Sequence, residues 1–169
     1  MDITKSIVNE FEIRVFNESF IRIKSCIGLI EENDVWKSPN DKITSFGSSI
    51  LHICGNANQW VCSAIGGEDD LRDRNKEFNT NVFYSKSQLI VKIEKTEKSL
   101  RIVLDQITIQ DLEEEYIIQG FSVTGFSAFI HVIEHVSYHT GQITLLAKLY
   151  SNENTNYYDE KNLTQRNTK

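Results

Sequence analysis

At 169 residues the chain is long enough for one domain with a real core and too short for two comfortable ones. Its net charge of −6 and lack of a Lys/Arg cluster argue against nucleic acid as a partner, and no apolar run approaches the length of a membrane span. Three cysteines without a close pair fit reduced thiols, and Met1-Asp2-Ile3-Thr4-Lys5 does not resemble a signal peptide, so a cytoplasmic location is expected.

Apolar residues at Ile7, Phe11, Val15, Phe16, Phe20, Ile23, Ile27 and Ile30 recur at intervals of three and four, which predicts a long first helix. Glu31 to Asn40, with the single proline Pro39, forms a connection. A second helix starts near Ser45, carries Phe46, Ile50, Ile53, Ala57, Val61 and Ala64 on its apolar face, and stops at Gly66-Gly67. Glu68 to Glu77 reads as a long loop crossing the bundle. A third helix is expected from about Lys86 to Gln106, with Leu89, Val91, Ile93, Leu100, Val103 and Leu104 buried. Ile107 to Val123 is ambiguous, either a short hairpin or an extended crossover. The fourth helix runs from about Gly125 to Tyr150, and a polar tail occupies 151–169. These elements make an all-α, four-helix bundle with long crossover connections as one domain over 1–150. The fourth helix is apolar nearly all round (Phe126, Phe129, Ile133, Val136, Ile143, Leu145, Leu149), so it lies centrally or also meets a partner subunit; a homodimer is expected.

Three of the four histidines, His131, His135 and His139, form a ladder on the fourth helix, continued by Gln142 and Leu146. At roughly 100° per residue, positions four apart share a face about 6 Å apart, so two such imidazoles can share a metal ion. An imidazole from another helix, His52, makes three ligands and leaves a coordination position open, the pattern of a catalytic site. Against this stands a plainer reading: His52, Asn56 and Gln59 align well round from the apolar face of the second helix, as solvated surface groups do. A carboxylate-bridged di-iron site is excluded, because the residues three before each histidine are Ser49, Ala128, Val132 and Val136, none of them Glu. His131-Val-Ile-Glu134-His135 formally matches the motif of inverted zinc proteases, with Glu134 as base, but the motif is short and the chain small for such an enzyme.

His52 in Leu-His-Ile-Cys-Gly-Asn-Ala-Asn-Gln-Trp, together with His135-Val-Ser-Tyr-His139-Thr-Gly-Gln-Ile, resembles the DinB/YfiT-like superfamily, and within it a DinB-like family of uncharacterised function. Glu18-Ser-Phe-Ile-Arg22-Ile, Trp36-Lys-Ser-Pro39-Asn40 and Arg72-Asp-Arg74-Asn-Lys-Glu77-Phe78 fit the same pattern, and the resemblance extends to about Tyr150. It implies an up-down-down-up bundle, usually dimeric, in which His52, His135 and His139 bind a divalent metal (Zn, Ni or Fe), while His131 matches no ligand position. Many relatives carry arginine after the last histidine, where this chain has Thr140. Some members of the superfamily use low-molecular-weight thiols as co-substrates.

An ion held by three neutral imidazoles lowers the pKa of a bound water or thiol. The expected function is therefore a metal-dependent enzyme acting on a small molecule, either a thiol S-transferase or a hydrolase. The second reading, from a different class, is a non-catalytic dimeric bundle that binds metal or a small ligand. Asn56, Gln59, Tyr138 and Gln142 lie within one or two turns of the ligands, where they can orient a substrate or hold a ligand's free ring N–H. Cys26, Cys54 and Cys62 read as small buried hydrophobes, and Arg72 and Arg74 as loop anchors or contacts to an anionic substrate.

Overall fold

The computed structural model describes residues 2–79, 83–158 and 163–166. Helix α1 spans 3–29 without interruption: Ile3–Phe11 and Ile21–Leu29 are α-helical, and Glu12–Phe20 between them is wound as π-helix. Helix α2 spans 46–63, α-helical over Phe46–Ala57 and π-helical over Asn58–Ser63. A single turn, α3 (Arg74–Glu77), interrupts the crossover that leads to α4 (Lys86–Leu104). A second turn, α5 (Ile109–Glu113), precedes a hairpin of β1 (Glu115–Ile118) and β2 (Phe121–Thr124), and α6 (Gly125–Ser151) completes the bundle.

Local chemistry sets these boundaries. The hydroxyls of Ser45, Ser85 and Thr124 each accept from the backbone N–H three residues on, which satisfies one of the free donors at the starts of α2, α4 and α6. At Ser85 the side chain of Gln88 completes a capping box. Gln119 and Gly120, between the strands, both have positive φ (53° and 84°), as a two-residue type I′ turn requires. The ambiguous 107–123 region thus contains the hairpin, preceded by a helical turn that periodicity did not signal; it is only five residues long and rests on the Thr108–Asp111 capping box.

Contacts between the long helices give their directions. Phe11 packs on Phe129 and Cys26 lies beside Thr144, so α1 and α6 are parallel. His52 meets His135 while Trp60 meets His131, so α2 and α6 are antiparallel. Asn58 reaches Thr96 and Gly66 abuts Val103, so α2 and α4 are parallel; Arg101 reaches Glu12 and Lys86 reaches Ile30, so α4 opposes α1. The order is up-down-down-up.

The core contains every apolar residue expected on α1, from Ile7 to Ile30. Phe11, Phe20, Phe46 and Phe129 are fully buried, each worth roughly 1.5–3 kcal/mol relative to exposure. Val91 is a correction: it is 46% exposed, because it lies about 200° round α4 from both Leu89 and Ile93. Leu145 and Leu149 on α6 are also exposed. Beyond α6 the tail turns back across α1. The Tyr157 hydroxyl lies 2.8 Å from Cys26 Sγ and 2.9 Å from the Thr144 hydroxyl, and Arg22 sits over the rings of Tyr157 and Tyr158. Residues 159–162 and 167–169 of the expected tail lie outside the described residues. All three cysteines are unpaired and buried.

Candidate metal centre

The antiparallel contact of α2 with α6 carries a line of polar side chains through otherwise apolar packing. His52, at 9% exposure, projects from α2 toward His135 and His139 on consecutive turns of α6. Nε2 of His52 and Nε2 of His135 are 3.1 Å apart, and the His139 ring centroid is 4.9 Å from that of His52 and 4.5 Å from that of His135. One nitrogen from each of the three lies within 4.8 Å of the others. Two imidazole nitrogens bound at about 2.1 Å to one ion stand about 3–3.4 Å apart, so the His52–His135 separation fits a shared divalent ion.

The far sides of the rings are held unequally. Glu77 Oε2 lies 2.8 Å from Nδ1 of His52, and Gln142 Oε1 lies 2.8 Å from Nδ1 of His139. Each oxygen is an acceptor, so each Nδ1 donates to it, although Arg72 Nη2 also lies 3.2 Å from Nδ1 of His52; His52 thereby presents its Nε2 to His135. Nδ1 of His135 is buried without a hydrogen-bond partner. Three imidazoles, two of them oriented through Nδ1, form a donor set that suits a divalent cation with open positions.

Glu77 itself is locked. Arg72 donates from Nε to its Oε1 at 2.7 Å and from Nη2 to its Oε2 at 2.9 Å, and the two side chains are only 5% and 8% exposed. Burial by itself raises the Glu77 carboxyl, but the hydrogen bond from His52 and the charge of Arg72 outweigh it and hold the group below its ordinary range. Arg72 also donates to Gln59 at 2.8 Å, and Gln59 donates to Asp70 at 2.7 Å and accepts from Gln119 of the hairpin turn at 2.7 Å. Gln59 therefore anchors the crossover rather than facing an imidazole.

Burial, followed by the neighbouring imidazoles of His139 and His52, pushes His135 down to about 3. Burial also lowers His139 and His131. Below their ordinary range these rings are neutral at pH 7, the form in which imidazole is a ligand.

His131 stands outside the trio. Its ring stacks on Trp60 at 3.7 Å between centroids, and its Nε2 is 3.3 Å from Asn56 Nδ2. Asn56 is buried, not solvated, and its Oδ1, with the Trp60 indole nitrogen, has no hydrogen-bond partner. The surface reading of His52 and Asn56 fails because α2 is covered on nearly every side, by α6, α4 and the crossover; a polar row on such a helix need not face water. Tyr138 is 65% exposed and touches His139 edge-on at 5.0 Å. Glu134 is exposed. Thr140 is buried and donates to the carbonyl of Val136, so it turns into the helix packing and away from the imidazoles. A separate cleft of about 520 Å³ opens behind α2, lined by Cys54, Gly55, Arg72, Glu77, Lys92 and Lys95 among others; the imidazoles do not line it. Sequence reading missed Glu77 as His52's partner, since nothing periodic links residues 25 apart across a loop.

The up-down-down-up bundle with this histidine cluster defines a DinB-like protein. A family model of proteins of unknown function, DUF1572, matches residues 6–159, and the chain belongs to this DinB-like family. Among solved structures it is similar to a conserved protein from Enterococcus faecalis, at 16% identity and a TM-score of 0.72, covering 90% of this chain and 99% of that one. A DinB-like protein from Bacillus cereus is similar at 16% identity and a TM-score of 0.63, covering 79% of this chain and 87% of that one. The DinB-like protein YjoA from Bacillus subtilis matches at 17% identity and a TM-score of 0.62, with 85% and 91% covered. These likenesses establish the fold. No curated protein matches the sequence. No helix among the described residues is long and apolar enough to cross a membrane.

Proposed function

We propose that the protein is a metal-dependent enzyme acting on a small molecule, with His52, His135 and His139 holding a divalent cation. The convergence of three imidazoles, two of them oriented through Nδ1 by Glu77 and Gln142, carries this reading. When bound, the cation acts as a Lewis acid that makes a coordinated thiol or water easier to deprotonate. The chain's own residues orient the ligands and exclude water from one side: α2 and α6 close over His52, while Tyr138 and His139 remain partly open to an incoming molecule.

Among the described residues no carboxylate is placed as a general base. Glu134 is exposed, and Glu77 is occupied by Arg72 and His52. This favours a substrate that needs little help to lose its proton, so a low-molecular-weight thiol in an S-transfer reaction is preferred over water in a hydrolysis. The same observation supports the second reading, a bundle that binds metal or a small ligand without catalysis. The exposed Leu145 and Leu149 share the outer face of α6 and support a homodimer through that helix.

The test is metal content by mass spectrometry on tag-free protein. Each of His52→Ala, His135→Ala and His139→Ala is expected to lose bound metal, and His131→Ala to keep it. Loss in His131→Ala with retention in His52→Ala overturns the ligand set. Metallated protein is then incubated with a panel of thiols and an electrophilic probe; absence of metal-dependent conjugation or hydrolysis favours the non-catalytic reading.

A further inference from the structure

We propose that Arg72 and Glu77 are the positioning pair of the metal centre, and that metal binding and docking of the crossover segment 70–78 are linked through His52. This rests on the metal-centre reading above and adds to it a device outside the ligand set.

Four observations carry it. The Glu77 carboxylate bridges two donors, Nδ1–H of His52 and the Arg72 guanidinium, so Arg72 aims the carboxylate and the carboxylate aims the imidazole. The pair is almost wholly buried, and burying two charges costs about as much as their attraction returns. Stability is thus a poor reason for placing them behind an imidazole, whereas fixing a ring in one tautomer is a known use of such a carboxylate. The approach also depends on Gly55: a Cβ there would run into Glu77 Oε1, so a glycine in mid-helix, which costs about 1 kcal/mol relative to alanine, opens the space the carboxylate occupies. Finally, the segment is tied to α2 by side chains at two points, His52 through Glu77 and Gln59 through Arg72 and Asp70. A cation on Nε2 immobilises His52 and makes its Nδ1–H a stronger donor, which strengthens one of those ties. Linkage requires the reverse as well: a docked segment must raise affinity for the cation.

The experiment uses the full chain, stripped with a chelator and titrated with Zn²⁺ against a chromogenic competitor. Hydrogen exchange of amides 70–78 and the nitrogen NMR shifts of the His52 ring are recorded in parallel. Wild type is expected to gain protection over 70–78 on Zn²⁺ addition and to show one His52 tautomer. Glu77→Gln is expected to bind Zn²⁺ about 10–100-fold more weakly, to lose the zinc-dependent protection and to mix tautomers. Gly55→Ala removes no polar group and is expected to shift affinity in the same direction, and it carries the test if Glu77→Gln does not fold. Helical circular dichroism like that of wild type together with an unchanged Zn²⁺ affinity in both variants overturns the inference and leaves the metal centre standing. Failure of wild type itself to bind any of Zn²⁺, Ni²⁺ or Fe²⁺ removes the metal centre, and the inference with it.

Discussion

The Nε2 atoms of His52 and His135 face each other at 3.1 Å although 83 residues separate them along the chain. Two lone pairs cannot hydrogen-bond each other, so without a cation one ring must turn its proton inward. His135 can do so only by leaving its buried Nδ1 as an acceptor without a partner, and His52, whose Nδ1–H faces Glu77, only by carrying a second proton. A bound cation relieves the facing lone pairs. Zn²⁺ at about 100 times its dissociation constant should therefore raise unfolding free energy by about 2.7 kcal/mol, and a chelator should reverse the gain. Thermal melts with and without metal check this, and an unchanged midpoint counts against it.

The metal-free protein should lose stability in mild acid. His135 has an ordinary value of 6.5 and is pushed down to about 3 in the fold. Between those limits the unfolded chain takes up a proton that the folded chain refuses, so stability rises with pH across this window and falls on acidification from about 6.5 toward 3. Glu77 acts in the same sense: its lowered carboxyl contributes stability above its ordinary 4.5 that disappears as pH falls through the folded value. Urea midpoints of chelator-treated protein at several pH values measure the slope. His135→Asn should flatten its upper part.

Arg72→Met should be strongly destabilising, by about 3 kcal/mol, because it leaves the buried Glu77 charge with only the His52 donor. Replacing both members, Arg72→Met with Glu77→Leu, should recover most of that loss. Urea denaturation of the two single variants and the double variant forms the required cycle. An Arg72→Met effect below about 1 kcal/mol would mean that the carboxylate finds water or loses its charge at little cost.

Phe129→Ala should cost about 3–5 kcal/mol, since the ring is fully buried in α6 and packs edge-on against Phe11 at 5.1 Å. Equilibrium unfolding reads this directly. Leu145→Ser with Leu149→Ser lies on the exposed face of the same helix, so it should leave monomer stability nearly unchanged and shift the solution mass from dimer toward monomer. Light scattering coupled to size exclusion decides that point, and a wild-type monomer at tens of micromolar would remove the homodimer.

Much of the bundle was legible because helix burial is periodic. The spacing of Ile7, Phe11, Val15 and Phe20 reports one buried face, and all four are in the core. The same periodicity placed His131, His135 and His139 on a single side of α6, since neighbours three or four apart depend only on helix geometry. It could not separate the bystander from its neighbours. Periodicity also misleads at Val91, which does not share the buried stripe of Leu89 and Ile93, and at the turn Ile109–Glu113, too short to show a period.

By itself, then, the sequence determined the helices and the ladder, because both arise from contacts within a few residues. Spacing left open which imidazoles meet; the family resemblance named His52, His135 and His139, and the tertiary structure brings those three together. The antiparallel register of α2 on α6 sets His52 against His135 and His139 and gives His131 to Trp60 and Asn56. It also decided that a loop glutamate, reached through the space left by Gly55 and aimed by Arg72, stands behind His52. Such pairings depend on how separate helices and a crossover pack, and a short-range pattern carries no record of that packing.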